Sequence, residues 1–508
     1  MTIEDKETGF TLRKSTLGLL GVCILSTVSL GVQAANWTML QGTEPDAAVG
    51  RAKVWGFIDT MYQKDTSEAN KDAGLPGNNY SYVPAELIGP DLNAQQGFNV
   101  TRARVGVRGE GFPLDGKVNY FVLAEFGNNA VTHGDGSSTK LTDASITLNE
   151  IPYARIRVGA FKVPTFEEGY QAIHVFDYVN FTEVANQMML ERYPNNQATL
   201  NRNNALDNYG NKFDYTDDNN TSPYNRFDKP VGAFRDVGIQ LFDSISIGSW
   251  DSTYALMVGN GNGVNFADND NNKDTYVYLS TEKVFAGKGP FRQGLKFFVW
   301  AQSGKRTLYN GAFTASSPTK AFNDTEPSGK TEYNRKRSGL GFKLLKGPFR
   351  VTAEYLKGEG MIFLGPDNPT FTITSPIITA GPLAVAHSNE VALLADGRKG
   401  KANGWYVDGG WKLGSSNFEL DARYDVYNRL TDAEKIAPAG PCSFDFTFKT
   451  ITLGAQYHIN KKTRVTFNVA SRNFDAGSCP VAYSTTQTPN NNIDGVDKRY
   501  GLLLRHIF

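Results

Sequence analysis

The sequence predicts an all-β fold, a transmembrane antiparallel up-and-down β-barrel of about 16 strands. Three observations carry this expectation. Short segments alternate apolar and polar residues, the period of a strand with two unlike faces. The connections between them alternate between tight turns and long polar stretches, as they do when turns gather at one end of a barrel and loops at the other. The first 34 residues have the layout of an export signal, which directs the rest of the chain out of the cytoplasm.

In that leader, Lys6, Arg13 and Lys14 precede an uncharged apolar run from Ser15 to Val32. The run ends in Val32-Gln33-Ala34, with small or β-branched residues where a signal peptidase reads, so cleavage after Ala34 is expected. Cys23 follows Val22, where lipidation requires a small residue. No later stretch is long and apolar enough to span a bilayer as a helix. We expect 1–34 to be the signal peptide, 35–50 a periplasmic N-terminal segment and 51–508 the barrel. Lys and Arg number 52, as do Asp and Glu, a balance that argues against general nucleic-acid binding.

The strands follow in order. Arg51–Gln63 comes first. Asn99–Glu110 points Ala103, Val105 and Val107 one way and Arg102, Arg104 and Arg108 the other. Phe112-Pro113-Leu114-Asp115-Gly116 turns the chain into Lys117–Phe126. Leu141–Glu150, Ala154–Val163, Arg235–Ile245, Trp250–Asn260, Lys273–Val284 and Leu295–Gly304 continue the series. Three clear hairpins then follow. Arg335–Leu345 turns at Lys346-Gly347-Pro348 into Phe349–Lys357, and Gly404–Leu413 turns at Gly414-Ser415-Ser416 into Asn417–Tyr427. Phe444–Ile459 turns at Asn460-Lys461-Lys462 into Thr463–Phe474. Arg499–Phe508 is last, with Tyr500, Leu502, Leu504 and Phe508 on one face. A terminal aromatic strand of this kind resembles the signal read by outer-membrane assembly machinery, with Phe508 as its key residue. Alternation alone also fits a soluble β-sandwich, but a sandwich has no reason to sort its loops by length onto one end.

Several segments resemble the phosphate-selective porin O/P family: Arg102-Ala103-Arg104-Val105-Gly106, Arg157-Val158-Gly159-Ala160-Phe161-Lys162-Val163-Pro164, Arg235-Asp236-Val237-Gly238-Ile239-Gln240-Leu241 and Val258-Gly259-Asn260-Gly261-Asn262-Gly263. Asp270-Asn271-Asn272-Lys273-Asp274 follows in the same order. The resemblance implies a homotrimer of sixteen-stranded barrels in the outer membrane of a Gram-negative bacterium. It implies a third extracellular loop that folds inward, and passive diffusion of small hydrophilic solutes or ions, with anions such as phosphate the best-known cargo. The partners so implied are outer-membrane lipid, small ions and the assembly machinery, with no cofactor and no enzymatic role. A non-conducting barrel that sheathes a partner protein is the alternative; a secreted glycan-binding β protein is a third.

The longest connection, Pro164–Phe234, is net acidic and is expected to constrict the pore, with Glu167 and Glu168 as candidates. That acidity departs from an anion-selective pattern, whereas the lumen faces carry more basic than acidic residues. Arg102, Arg104, Arg108, Arg155 and Arg157 are the candidate pore-lining anion contacts, because guanidinium stays charged and offers forked donors. Their structural alternative is pairing with Glu110, Glu125 and Asp143. Asp268–Asp274 spaces oxygen ligands like the start of a calcium loop but lacks its central glycine and distal glutamate, so no metal is expected. The five histidines form no paired motif, and His174 is the one candidate for a base. Cys442 and Cys479 lie nearly equidistant from the turn at Lys461, so register predicts a disulfide between them at the loop end.

Overall fold

In the computed structural model, each of sixteen strands pairs antiparallel with the next and the last pairs with the first, closing the sheet. The structure describes residues 36–40, 52–67, 69–70, 80–81, 96–110, 117–129, 131–132, 139–191, 232–265, 268, 270–287, 292–309, 330–362, 400–429, 431, 446–476 and 496–508. The first quarter of the wall is β1 (Lys53–Asp65), β2 (Gln96–Glu110), β3 (Val118–Glu125) and β4 (Lys140–Leu148). Next come β5 (Arg155–Lys162), β6 (Arg235–Ile247), β7 (Trp250–Gly259) and β8 (Asp274–Ala286). The chain continues through β9 (Gln293–Tyr309), β10 (Lys330–Lys346), β11 (Phe349–Glu359) and β12 (Lys401–Lys412). It ends with β13 (Phe418–Arg429), β14 (Phe446–Asn460), β15 (Thr463–Ala476) and β16 (Arg499–Ile507). Every expected strand is present, most with ends shifted by a few residues.

The two faces of the wall differ as the alternation requires. Val105 is 43% exposed, Leu420 44% and Leu502 45%, while their neighbours Arg104, Asp421 and Leu503 are buried. A continuous belt of such outward apolar residues far exceeds what a water-soluble monomer leaves exposed. It is the lipid face of a membrane barrel, and closure leaves no unpaired strand edge in hydrocarbon. Where β1 meets β2 the register slips by one residue between Asp59 and Thr60. The resulting bulge takes up Thr101, so that Val100 stays outside and Arg102 inside.

Short turns sit at one end. Gly347-Pro348 joins β10 to β11 with only two residues. Gly347 has φ of 60°, the conformation a two-residue hairpin needs at its first position, and the proline ring suits the second. The barrel closes at this same end, where Phe508 N donates to Gly56 O at 3.0 Å and Gly56 N to Phe508 O at 3.4 Å. Phe508 itself points outward, 43% exposed.

Candidate functional site

The described part of the third long connection lies inside the barrel. Val163 N donates to Phe234 O at 3.0 Å, pinching the mouth of the loop, and the described residues 164–191 run through the interior. Phe166, Tyr170, Phe176, Tyr178 and Phe181 are all nearly fully buried. They cluster with inward residues of the wall, including Tyr278, Phe298, Trp300, Leu356, Tyr406 and Tyr427. Each aromatic removes roughly 150–250 Å² from water, which an extracellular loop could not do. The wall leaves room for this packing. A Cβ at Gly358 would lie 2.8 Å from Met188 Sδ, one at Gly404 2.6 Å from Val184 Cγ2, and one at Gly501 3.0 Å from Val179 Cγ1.

The acids of the loop meet cations spread around the wall. Helix α1 (Glu167–Tyr170), a single buried turn, carries the first two. Glu167 Oε2 lies 2.6 Å from Lys296 Nζ on β9, and its Oε1 lies 3.5 Å from Lys343 Nζ on β10. Glu168 Oε1 pairs with Arg423 on β13 at 3.2 Å. Asp177 bridges Arg350 on β11 at 3.2 Å and Arg464 on β15 at 3.3 Å. Glu191 takes Arg306 at 2.5 Å and Arg335 at 2.9 Å. Burial pushes the Glu167 carboxyl up, but Lys296 and Lys343 outweigh it and hold it below the usual carboxylate range. At Glu168 burial wins over Arg423 and Thr182, and the group is pushed up to about 7.

The arginines singled out from the sequence divide into two groups. Arg102 Nη1 lies 3.1 Å from Asp59 Oδ2, and Arg104 Nε lies 2.6 Å from Glu125 Oε2. Arg505 completes that cluster through both oxygens of Asp59, at 2.7 and 2.8 Å. Arg108 stands over the Phe121 ring, 6.0 Å from its centroid. On β5, Arg155 pairs with Asp243 at 2.7 Å. Arg157 is fully buried and donates to Gln240 and to the Thr38 carbonyl. Of the acids named as alternative partners, Glu125 meets Arg104. Asp143 instead takes Arg235, at 2.9 Å. The wall partners of the loop were missed, because alternation marks them as inward without saying which acid each one meets.

The remaining expectations meet the structure in different ways. The described part of the N-terminal segment lies inside the barrel, not in the periplasm beyond it. Trp37 and Met39 are apolar residues that gain by burial, and Trp37 Nε1 donates to Glu167 Oε1 at 2.9 Å. Tyr170 OH donates to Thr38 Oγ1 at 2.8 Å. His174 packs against the rings of Trp55 and Phe57, 5.7 Å from each. Burial, helped by Arg505, lowers it to about 3, so it is neutral. Asp274, at the end of the calcium-like stretch, is engaged by Arg306 at 2.7 Å. Cys442 and Cys479 lie outside the described residues, as does the leader.

No protein-family model matches the sequence, and no curated protein matches it. Among solved structures the chain is similar to an anion-selective porin from Comamonas acidovorans, at 14% identity and a TM-score of 0.46. That likeness covers 90% of this chain and 99% of the other. It is also similar to OprB of Pseudomonas putida, at 10% identity and a TM-score of 0.46, covering 90% and 94% of the two chains. A third is OmpF of Salmonella typhi in complex with daunomycin, at 12% identity and a TM-score of 0.45, covering 90% and 97%.

Proposed function

We propose that this chain is an outer-membrane porin of a Gram-negative bacterium, a passive channel for small hydrophilic solutes and ions. The observation that carries this reading is the pairing of a lipid-facing exterior with an interior lined by charged side chains. Inward Arg102, Arg350 and Arg423, and inward Asp59, Asp421 and Asp425, have no place in a packed apolar core. A polar, charged inner face of this kind is the lumen pattern of a membrane barrel. The inward segment of Pro164–Phe234 is the constriction in this proposal, and Glu167 and Glu168 are the residues that set its charge. Buried basic and acidic side chains are about equal in number among the described residues, so any preference for anions such as phosphate is weak. Assembly as a homotrimer, export by a cleaved leader and recognition of the Phe508 strand by assembly machinery belong to the same proposal.

Single-channel recording in a planar bilayer tests it. The purified chain conducts potassium chloride, and removing residues 171–185 raises the conductance of barrels that still migrate anomalously without boiling. A correctly folded barrel with no conductance refutes the channel. Unchanged conductance after the deletion places the constriction elsewhere.

A further inference from the structure

Between the inward loop and β1–β6 lies a cavity of about 240 Å³. Its composition differs from that of the rest of the lumen. One side is aromatic: Trp55 and Phe121 stack with centroids 5.9 Å apart, and Phe57 lies beside them under the His174 ring. The other side is basic. Arg104, Arg108, Lys162 and Arg235 line it, and Asp143 is the sole carboxylate in that lining among the described residues. Glu125 pairs with Arg104 and Asp143 with Arg235, so the surplus rests on Lys162. Lys162 Nζ is held by two loop carbonyls, those of Gly169 at 2.8 Å and Gln171 at 2.5 Å. The Trp55 indole N–H is buried without an acceptor among the described residues.

From this we propose that the cavity is a binding site for a single-ring aromatic carboxylate within the channel. The volume sets the size: pockets for drug-sized molecules run to about 300–1,000 Å³, so this one takes one ring and a short acid arm. The ring lies against Trp55 and Phe121, and the carboxylate faces the basic side. Forked guanidinium donors suit a carboxylate's two oxygens, and Arg108, which stands over the Phe121 ring, brings charge and ring face together. A simple halide uses only the basic side, and an apolar alcohol only the aromatic side. The site rests on the channel reading for its biological sense, but its occupancy can be measured without any current.

The probe is radiolabelled benzoate, dialysed to equilibrium against the purified full-length chain in detergent. We expect one saturable site per chain, displaced by phenylacetate. Benzyl alcohol, acetate and inorganic phosphate each displace the label at least about tenfold more weakly, equivalent to about 1.4 kcal/mol. Arg108→Gln and Lys162→Gln each weaken binding about tenfold or more, in barrels whose heat-modifiable migration is unchanged. The competition series on the unaltered chain needs no variant to fold. Absence of saturable binding overturns the site, as does equal competition by benzyl alcohol or by acetate and phosphate. Potassium chloride conductance of the same preparation separates the two proposals. Conduction without benzoate binding removes the site and leaves the channel, and binding without conduction does the reverse.

Discussion

Replacing Glu167 by glutamine tests the electrostatics of the inward loop most directly. The carboxylate is 1% exposed; it accepts from Trp37 and Lys296 at 2.9 and 2.6 Å, and Lys343 Nζ lies 3.5 Å from it. The amide keeps an oxygen for one of these donors but removes the charge that offsets two ammonium groups. Breaking a buried pair costs about 3–5 kcal/mol; with one hydrogen bond retained, the low end applies, about 3 kcal/mol. That is roughly a hundredfold loss in how firmly the loop sits. The change also leaves the constriction more positive by one unit. An anion passing at about 8 Å gains roughly 2 kcal/mol at an effective dielectric constant near 20, and about 1 kcal/mol after screening over one Debye length. The permeability ratio should move about fivefold toward the anion. The assay is the reversal potential across a bilayer under a salt gradient, with heat-modifiable migration confirming the barrel. An unchanged reversal potential in a folded Glu167→Gln barrel refutes the placement of Glu167 at the constriction.

Other expectations follow from neighbouring features. Leu420 faces lipid, so Leu420→Arg should cost about 2–4 kcal/mol in urea refolding into liposomes; a neutral result removes the face assignment. Glu168, pushed up to about 7 by burial, is charged above that pH and neutral below it. Selectivity should therefore shift toward anions as pH falls through about 7, and Glu168→Gln should flatten the curve; a wild-type curve already flat shows that the group does not titrate there. A side chain at Gly404 has no space beside Val184, so Gly404→Leu should unseat the loop and raise single-channel conductance, where a native value argues that the loop does not obstruct the path. Thiol labelling of denatured, unreduced protein should find no reactive pair at Cys442 and Cys479; two labelled thiols in exported material end the disulfide proposal.

All sixteen strands were legible because the bilayer imposes one rule on each of them, an apolar residue at every second position, the one that faces outward. The rule lapses beyond the hydrocarbon, which is where the boundaries moved. β9 was expected to stop at Gly304 and runs to Tyr309, and β10 begins at Lys330, five residues ahead of Arg335. The length and acidity of Pro164–Phe234 pointed to an inward loop, but its seat was not legible. Asp177 and Arg464 are 287 residues apart in sequence, and local periodicity carries no information about such a pairing. The glycines at 404 and 501 read as ordinary strand glycines, and Gly358 as the start of a connection, until the loop is seen against them. Residues 36–40 of the N-terminal segment were not expected inside the barrel, because a short stretch after a leader has no period; only Trp37 and Met39 hinted at burial.

The loop also changes what kind of object the barrel is mechanically. A closed sheet is a hoop, strong around its circumference through backbone hydrogen bonds but easily flattened, because nothing crosses its diameter. Here Glu167, Glu168, Asp177 and Glu191 reach β9, β10, β11, β13 and β15, and Arg505 on β16 donates to the Phe176 carbonyl at 3.0 Å. These contacts act as spokes. A spoked hoop keeps its round section under lateral pressure from the bilayer, and a hoop without spokes turns oval. Loosening the loop should therefore alter the shape of the wall as well as the space inside it.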